Sequence, residues 1–241
     1  MKIIYLLLCS SLLFASCTYS PSANDTKNTS TNTPVNTNTP TSPALRTPSP
    51  TYGSGNHELV VFADFQCPAC ISSSKTIMPV FENYAKNGYL RITYKQFPLT
   101  SMHKNAERDA LAALCVSSQG KGADTYMQYK KALYDMEDAK KGASVSDGDR
   151  VNAVGNITSI DVSKLTECLD NNLYLDQVRA EMREGDDLGV NGTPTLYLDN
   201  KRLDLAVFRD TTVLQTVMDR LLGVIPQVTT STGITATGTQ K

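Results

Sequence analysis

The sequence predicts one α/β domain, over residues 57–225, with the element order β-α-β, several helices, then β-β-α. Three observations carry this. Leu59-Val60-Val61-Phe62-Ala63 is a short apolar run of strand length, and Pro68 soon after it can open a helix. From about 100 to 188 the apolar residues recur at helical spacing. Thr195-Leu196-Tyr197-Leu198, then Asp199-Asn200, then Arg202-Leu203-Asp204-Leu205 reads as strand, turn and strand.

Taken in order, Ile71, Ile77-Met78 and Val80-Phe81 give the helix from Pro68 an apolar face, Pro79 should kink it, and Gly88 follows its end. Leu90-Arg91-Ile92-Thr93-Tyr94 alternates as a strand should. In the helical stretch, Ala106, Ala110, Ala113 and Leu114 mark one face, and Tyr126, Tyr129 and Leu133 a second. Val162, Leu165 and Leu169 mark a third, behind Asp161 as N-cap. Val213-Leu214, Val217 and Leu221-Leu222 suit a closing helix.

The flanks have a different composition. Lys2 precedes an apolar run, Ile3 to Leu8, that continues through Leu12-Leu13-Phe14; this is the pattern of a secretory signal, over residues 1–16. The run is too short and too interrupted by Ser for a membrane span. Its end, Ala15-Ser16-Cys17, resembles the bacterial lipobox, in which the cysteine is acylated. Residues 17–56 then read as Cys17 and a disordered Thr/Asn/Pro-rich tether, since almost no large apolar side chain is there to offset ordering entropy. The tail, 226–241, has the same composition. These features imply a protein outside the cytoplasm, held to a membrane by a lipid anchor. A net charge of −1 gives no electrostatic case for nucleic acid.

The chemistry lies in Phe65-Gln66-Cys67-Pro68-Ala69-Cys70, after a strand and opening a helix. Two residues between cysteines on a first helical turn bring the sulfurs within bonding reach. At the helix end the dipole and free N–H groups stabilise a thiolate, so Cys67 is the expected nucleophile and Cys70, one turn in, the resolving thiol. A structural disulfide and half of a zinc site are the other readings. Zinc needs two more ligands, and the sequence has no second closely spaced Cys/His pair. No metal and no cofactor are expected, because the sulfurs themselves carry the electrons.

Val61 to Cys70, then Gln96-Phe97-Pro98-Leu99, then Gly189-Val190-Asn191-Gly192-Thr193-Pro194-Thr195 resemble, in order, the DsbA-like branch of the thioredoxin superfamily. The resemblance implies a thioredoxin fold with a helical insertion between its β-α-β and β-β-α halves. It implies thiol–disulfide exchange with exported proteins that are reduced or misoxidised, more as oxidant than as reductase, and a membrane redox partner that recycles the pair. It also implies that Pro194 is cis, and that Thr193, Pro194, Pro68 and Ala69 border the substrate. Two positions depart from the family. Ala69 stands where relatives often carry His or Tyr, which should make the disulfide less oxidising. Val61 stands where many carry a buried acid, so no proton acceptor for Cys70 is assigned; Asp64 is the acid nearest the site. The alternative function is a non-catalytic thioredoxin-fold binding lipoprotein or metal chaperone.

Cys115 and Cys168 have two readings, buried free thiols or a disulfide tying two insertion helices, as in some relatives. An oxidising compartment and an even cysteine count favour the bond. His103 reads as a cap or surface residue, and His57 carries no signal.

Overall fold

The computed structural model describes residues 47–224, apart from 156 and 209. The expected signal, Cys17, most of the tether and the tail lie outside the described residues. The fold is a five-stranded sheet in the order β1-β3-β2-β4-β5 with helices on both faces. The strands are β1 (Thr51–Tyr52), β2 (His57–Ala63), β3 (Leu90–Gln96), β4 (Thr195–Leu198) and β5 (Lys201–Arg202). β2 and β3 are parallel; the other pairs are antiparallel. The parallel pair needs a crossover, and α1 (Pro68–Lys75) and α2 (Met78–Lys86) provide it.

Between β3 and β4 stand five helices, α3 (Ala106–Ser117), α4 (Ala123–Lys140), α5 (Asp147–Asn152), α6 (Val162–Asp170) and α7 (Leu175–Asp187). α8 (Thr211–Leu221) closes the domain. One sheet face carries the main core, with Leu59, Val61, Ile92 and Leu196 against Phe81, Leu214 and Met218. On the other face Phe62 packs with Phe97, Val190 and Tyr197. Gly185 lets α7 reach that face, because a Cβ there would lie 2.6 Å from the Phe97 ring.

Four expectations need correction. The fold begins before residue 57: β1 pairs with β3 through Thr51↔Thr93 and Tyr52↔Ile92. Two residues of edge strand leave little trace in composition. Gly55 makes the return possible, since a Cβ there would lie 2.1 Å from the Leu90 nitrogen. The kinked helix is two helices, broken at Thr76 and Ile77, where Pro79 conflicts with the carbonyl one turn back. The second hairpin strand stops at Arg202, and Leu205–Phe208 forms a 3₁₀ turn. Finally, Val162, Val213 and Leu221 are exposed; of the residues expected to face inward at the closing helix, Leu214 and Leu222 are buried, and Met218 joins them.

Candidate active site

Cys67 is the N-cap of α1, with extended backbone, and Pro68 begins the helix. The strand ends at Ala63, so a four-residue turn carries the chain from β2 to the first cysteine. Asp64 holds that turn. Its side chain is buried and accepts from the Gln66 N–H at 2.7 Å, the Leu99 N–H at 2.8 Å and His103 Nδ1 at 2.7 Å. Gln66 in turn accepts from the Asn105 N–H at 3.0 Å. The turn is therefore fastened to the segment that leads into α3.

Both redox cysteines are free thiols, and both are covered: Cys67 is 6% exposed and Cys70 2%. Exposure hardly distinguishes them, because the loop at Thr193 lies over Cys67. The Cys67 thiol donates to the Thr193 carbonyl at 3.3 Å. The Thr193–Pro194 peptide is cis. Pro68 and Ala69 are exposed beside the thiols.

Electrostatics separates the two sulfurs where exposure does not. The Cys67 thiol is pulled down from 9.0 to about 5, first by a hydrogen bond from Cys70. Burial opposes this, and the Thr193 side chain and the backbone of Cys70 and Ala69 add to it. Cys70 is pushed well above its ordinary range, by burial first and then by its bond to Cys67 and the charge there. The Thr193 hydroxyl has no other partner and is buried.

His103 is a correction. Its ring faces the buried Asp64 carboxylate and is neither a cap nor a bare surface group. A carboxylate at the inner end of an apolar strand needs donors, and with only two histidines in the chain that need was the available signal. Cys115 on α3 and Cys168 on α6 stand with sulfurs 1.98 Å apart and Cα atoms 5.9 Å apart. Among the described residues no group of three or more His, Cys, Asp or Glu is placed to hold a metal, and no helix is long and apolar enough to cross a membrane.

The sequence profile of the family described as thioredoxin matches residues 49–213. The chain is 24% identical over 144 residues to the probable disulfide bond formation protein D of Bacillus anthracis, covering 59% of this chain and 64% of that one. It spans less than two thirds of the length of the curated relatives it matches, 64% and 20%. Oxidised BdbD from Bacillus subtilis superposes with a TM-score of 0.63 at 20% identity, covering 73% of this chain and 93% of that one. DsbA from Chlamydia trachomatis gives 0.60 at 18% identity, covering 77% and 98%. These structures share the fold, a thioredoxin sheet with a helical insertion. With its profile matched over more than half its length, the chain belongs to the thioredoxin family.

Proposed function

We propose that this protein is an exported, lipid-anchored thiol–disulfide oxidoreductase that donates a Cys67–Cys70 disulfide to extracytoplasmic proteins. The observation that carries this is the divergence of the two thiols, one drawn down to about 5 and the other pushed well up. A stabilised Cys67 thiolate is a good leaving group, and it favours the reduced dithiol, which makes the disulfide oxidising. The relatives' names, a disulfide bond formation protein among them, point the same way.

In the forward direction a client thiolate attacks the Cys67 sulfur, the Cys67–Cys70 bond breaks, and Cys70 leaves and takes up a proton. A second client thiolate then attacks the client sulfur of the mixed disulfide and expels Cys67 as thiolate. The client gains one disulfide and gives two electrons to the protein. A membrane redox partner withdraws them to restore the pair. Thr193, with its carbonyl beside Cys67, is suited to pair with an extended client strand, and Pro194, Pro68 and Ala69 border it. Cys115 and Cys168 take a structural role away from this exchange. Cys17 carries the lipid, and the tether behind it gives the domain reach from the membrane.

The test is the reduction potential of Cys67–Cys70 against a glutathione series. A donor should lie above about −200 mV; a value near about −270 mV would assign a reductase instead. Trapping checks the roles. With a scrambled client, Cys70→Ser should accumulate mixed disulfides on Cys67 and Cys67→Ser should not. Equal trapping by both variants would refute the assignment. For the anchor, Cys17→Ala should release the protein from the membrane fraction.

A further inference from the structure

Two hollows that share no lining residue flank the redox motif. One lies under Pro194 and Thr195. The other, of about 560 Å³, lies between the start of α1, the loop at Met102 to Lys104 and the end of α4. Its floor and wall are apolar at Pro68, Ile71 and Met102. Met102 is 67% exposed, more than any other exposed large hydrophobic residue described. A flexible, polarisable side chain held out beside a reactive site suits contact with varied apolar partners.

The charges around this second hollow are uneven. His103 is occupied by Asp64, and Lys75 by Asp138 at 2.6 Å. Glu137 is buried, accepts from Asn105 at 3.2 Å and belongs to a cluster in which Arg150 pairs with Asp109 at 2.7 Å. Lys104 and Lys141 are exposed and make no salt bridge among the described residues, though the Lys141 charge acts on Asp138. Three lysines thus line the groove with two carboxylates, the buried Glu137 and the exposed Asp138, a net charge of +1.

The geometry points to this groove as a specificity subsite that takes an extended client segment with a bulky apolar residue and an adjoining Asp or Glu close to its reacting cysteine. The inference rests on clients reacting at Cys67. Pro68 is both the next residue and part of the groove wall, and each extended residue advances about 3.3 Å. A side chain two or three positions from the client cysteine therefore reaches Ile71 and Met102. The acidic neighbour then meets Lys104 and Lys141 in partly excluded water, where opposite charges attract more strongly than in bulk.

The experiment uses the oxidised full-length protein and three reduced peptides, Cys-Gly-Leu-Glu, Cys-Gly-Leu-Lys and Cys-Gly-Gly-Gly. Rates of mixed-disulfide formation are each divided by that peptide's rate with the neutral disulfide of 2-mercaptoethanol, which removes differences in intrinsic thiol reactivity. The acidic peptide should lead the lysine peptide by about tenfold at low salt, and the gap should shrink in high salt. The double variant Lys104→Glu/Lys141→Glu should reverse the order, and Met102→Ser should erase the advantage of Leu over Gly. Reaction with the small neutral thiol 2-mercaptoethanol should be the same in all variants, showing the redox pair intact. Equal normalised rates in the unaltered protein, or an order that survives the double charge reversal, would overturn the subsite. A double variant that keeps the peptide order but is no longer reoxidised by isolated membranes would overturn it too, giving the groove to the membrane partner. If 2-mercaptoethanol fails to reduce even the unaltered protein, the oxidoreductase reading falls, and the subsite with it.

Discussion

Around Cys67 the chain is held mainly by backbone groups, and in the helical insertion it is held by buried charge. The redox turn rests on N–H groups given to Asp64, on the N–H groups of Cys70 and Ala69 and on the Thr193 carbonyl. In the insertion, Arg150 is almost fully buried and reaches Asp109, Asp147, the Val145 carbonyl and the Asn105 carbonyl. Asp109 Oδ2 and Glu137 Oε2 find no donor there. The Asp109 carboxyl is pushed up to about 8, chiefly by burial, with Glu137 contributing. The two regions meet at Asn105, which serves Gln66 on one side and Glu137 on the other. The difference teaches that reactivity and rigidity are supplied separately, and each can be disturbed alone.

The largest effect should come from the insertion. Cys115 and Cys168 enclose a loop of 53 residues. Replacing both by Ser should lower stability by roughly 4 kcal/mol on the chain-entropy account, read from urea unfolding. The reduction potential of Cys67–Cys70 should stay where it is. A potential that moves with the double substitution would mean that the two regions are not energetically separate.

The pH dependence sharpens the contrast, because the two regions carry opposite signs. The folded Asp109 carboxyl keeps a proton that the unfolded one, near 3.8, gives up. Its contribution to stability is full below about 4 and is lost as pH rises through about 8. The folded Cys67 has released a proton that an unfolded thiol keeps up to about 9. Its contribution is full above about 9 and is lost as pH falls through about 5. Each slope is at most about 1.4 kcal/mol per pH unit, and less where solvent screens the group. From pH 5 to 8 they oppose one another in reduced protein. In oxidised protein Cys67 does not titrate, so the Asp109 slope stands alone. Urea midpoints should therefore fall with pH more steeply for the oxidised form, and Asp109→Asn should flatten the oxidised curve while leaving the reduced one rising with pH. Parallel profiles in the two redox states would break the comparison.

The same division explains what could be read from the sequence. Leu59 to Ala63, the alternation at Leu90 to Tyr94 and the two cysteines on a first helical turn are local patterns, and the structure places each of them in the expected element. Asp161 caps α6 through the Lys164 N–H, again a local matter. The support of the site is not local. His103 lies 39 residues from Asp64, and Arg150 lies 41 from Asp109. No periodicity couples such pairs, and a charged residue inside a helix reads as solvated until its partner is known. The break between α1 and α2 was half legible. Pro79 marked the place, but whether a helix bends or stops there depends on what the flanking turns pack against.

The smallest effect belongs to a single hydroxyl on the redox side. Thr193 faces the pair with two groups, a carbonyl that accepts from Cys67 at 3.3 Å and a buried hydroxyl without another partner. The hydroxyl lowers the Cys67 thiol, and it lowers Cys70 as well. Thr193→Val keeps the shape and the carbonyl but removes this donor. Thiolate absorbance followed against pH should then show the Cys67 midpoint rising from about 5, by on the order of one pH unit. Losing that much stabilisation of the reduced state should lower the reduction potential by about 30 mV for a two-electron couple. Thr193→Ser should restore both values, because the donor returns. Since the insertion is untouched, urea stability of the oxidised form should hardly change. An unmoved midpoint in Thr193→Val would locate the acidity of Cys67 wholly in the helix N–H groups and the Cys70 thiol.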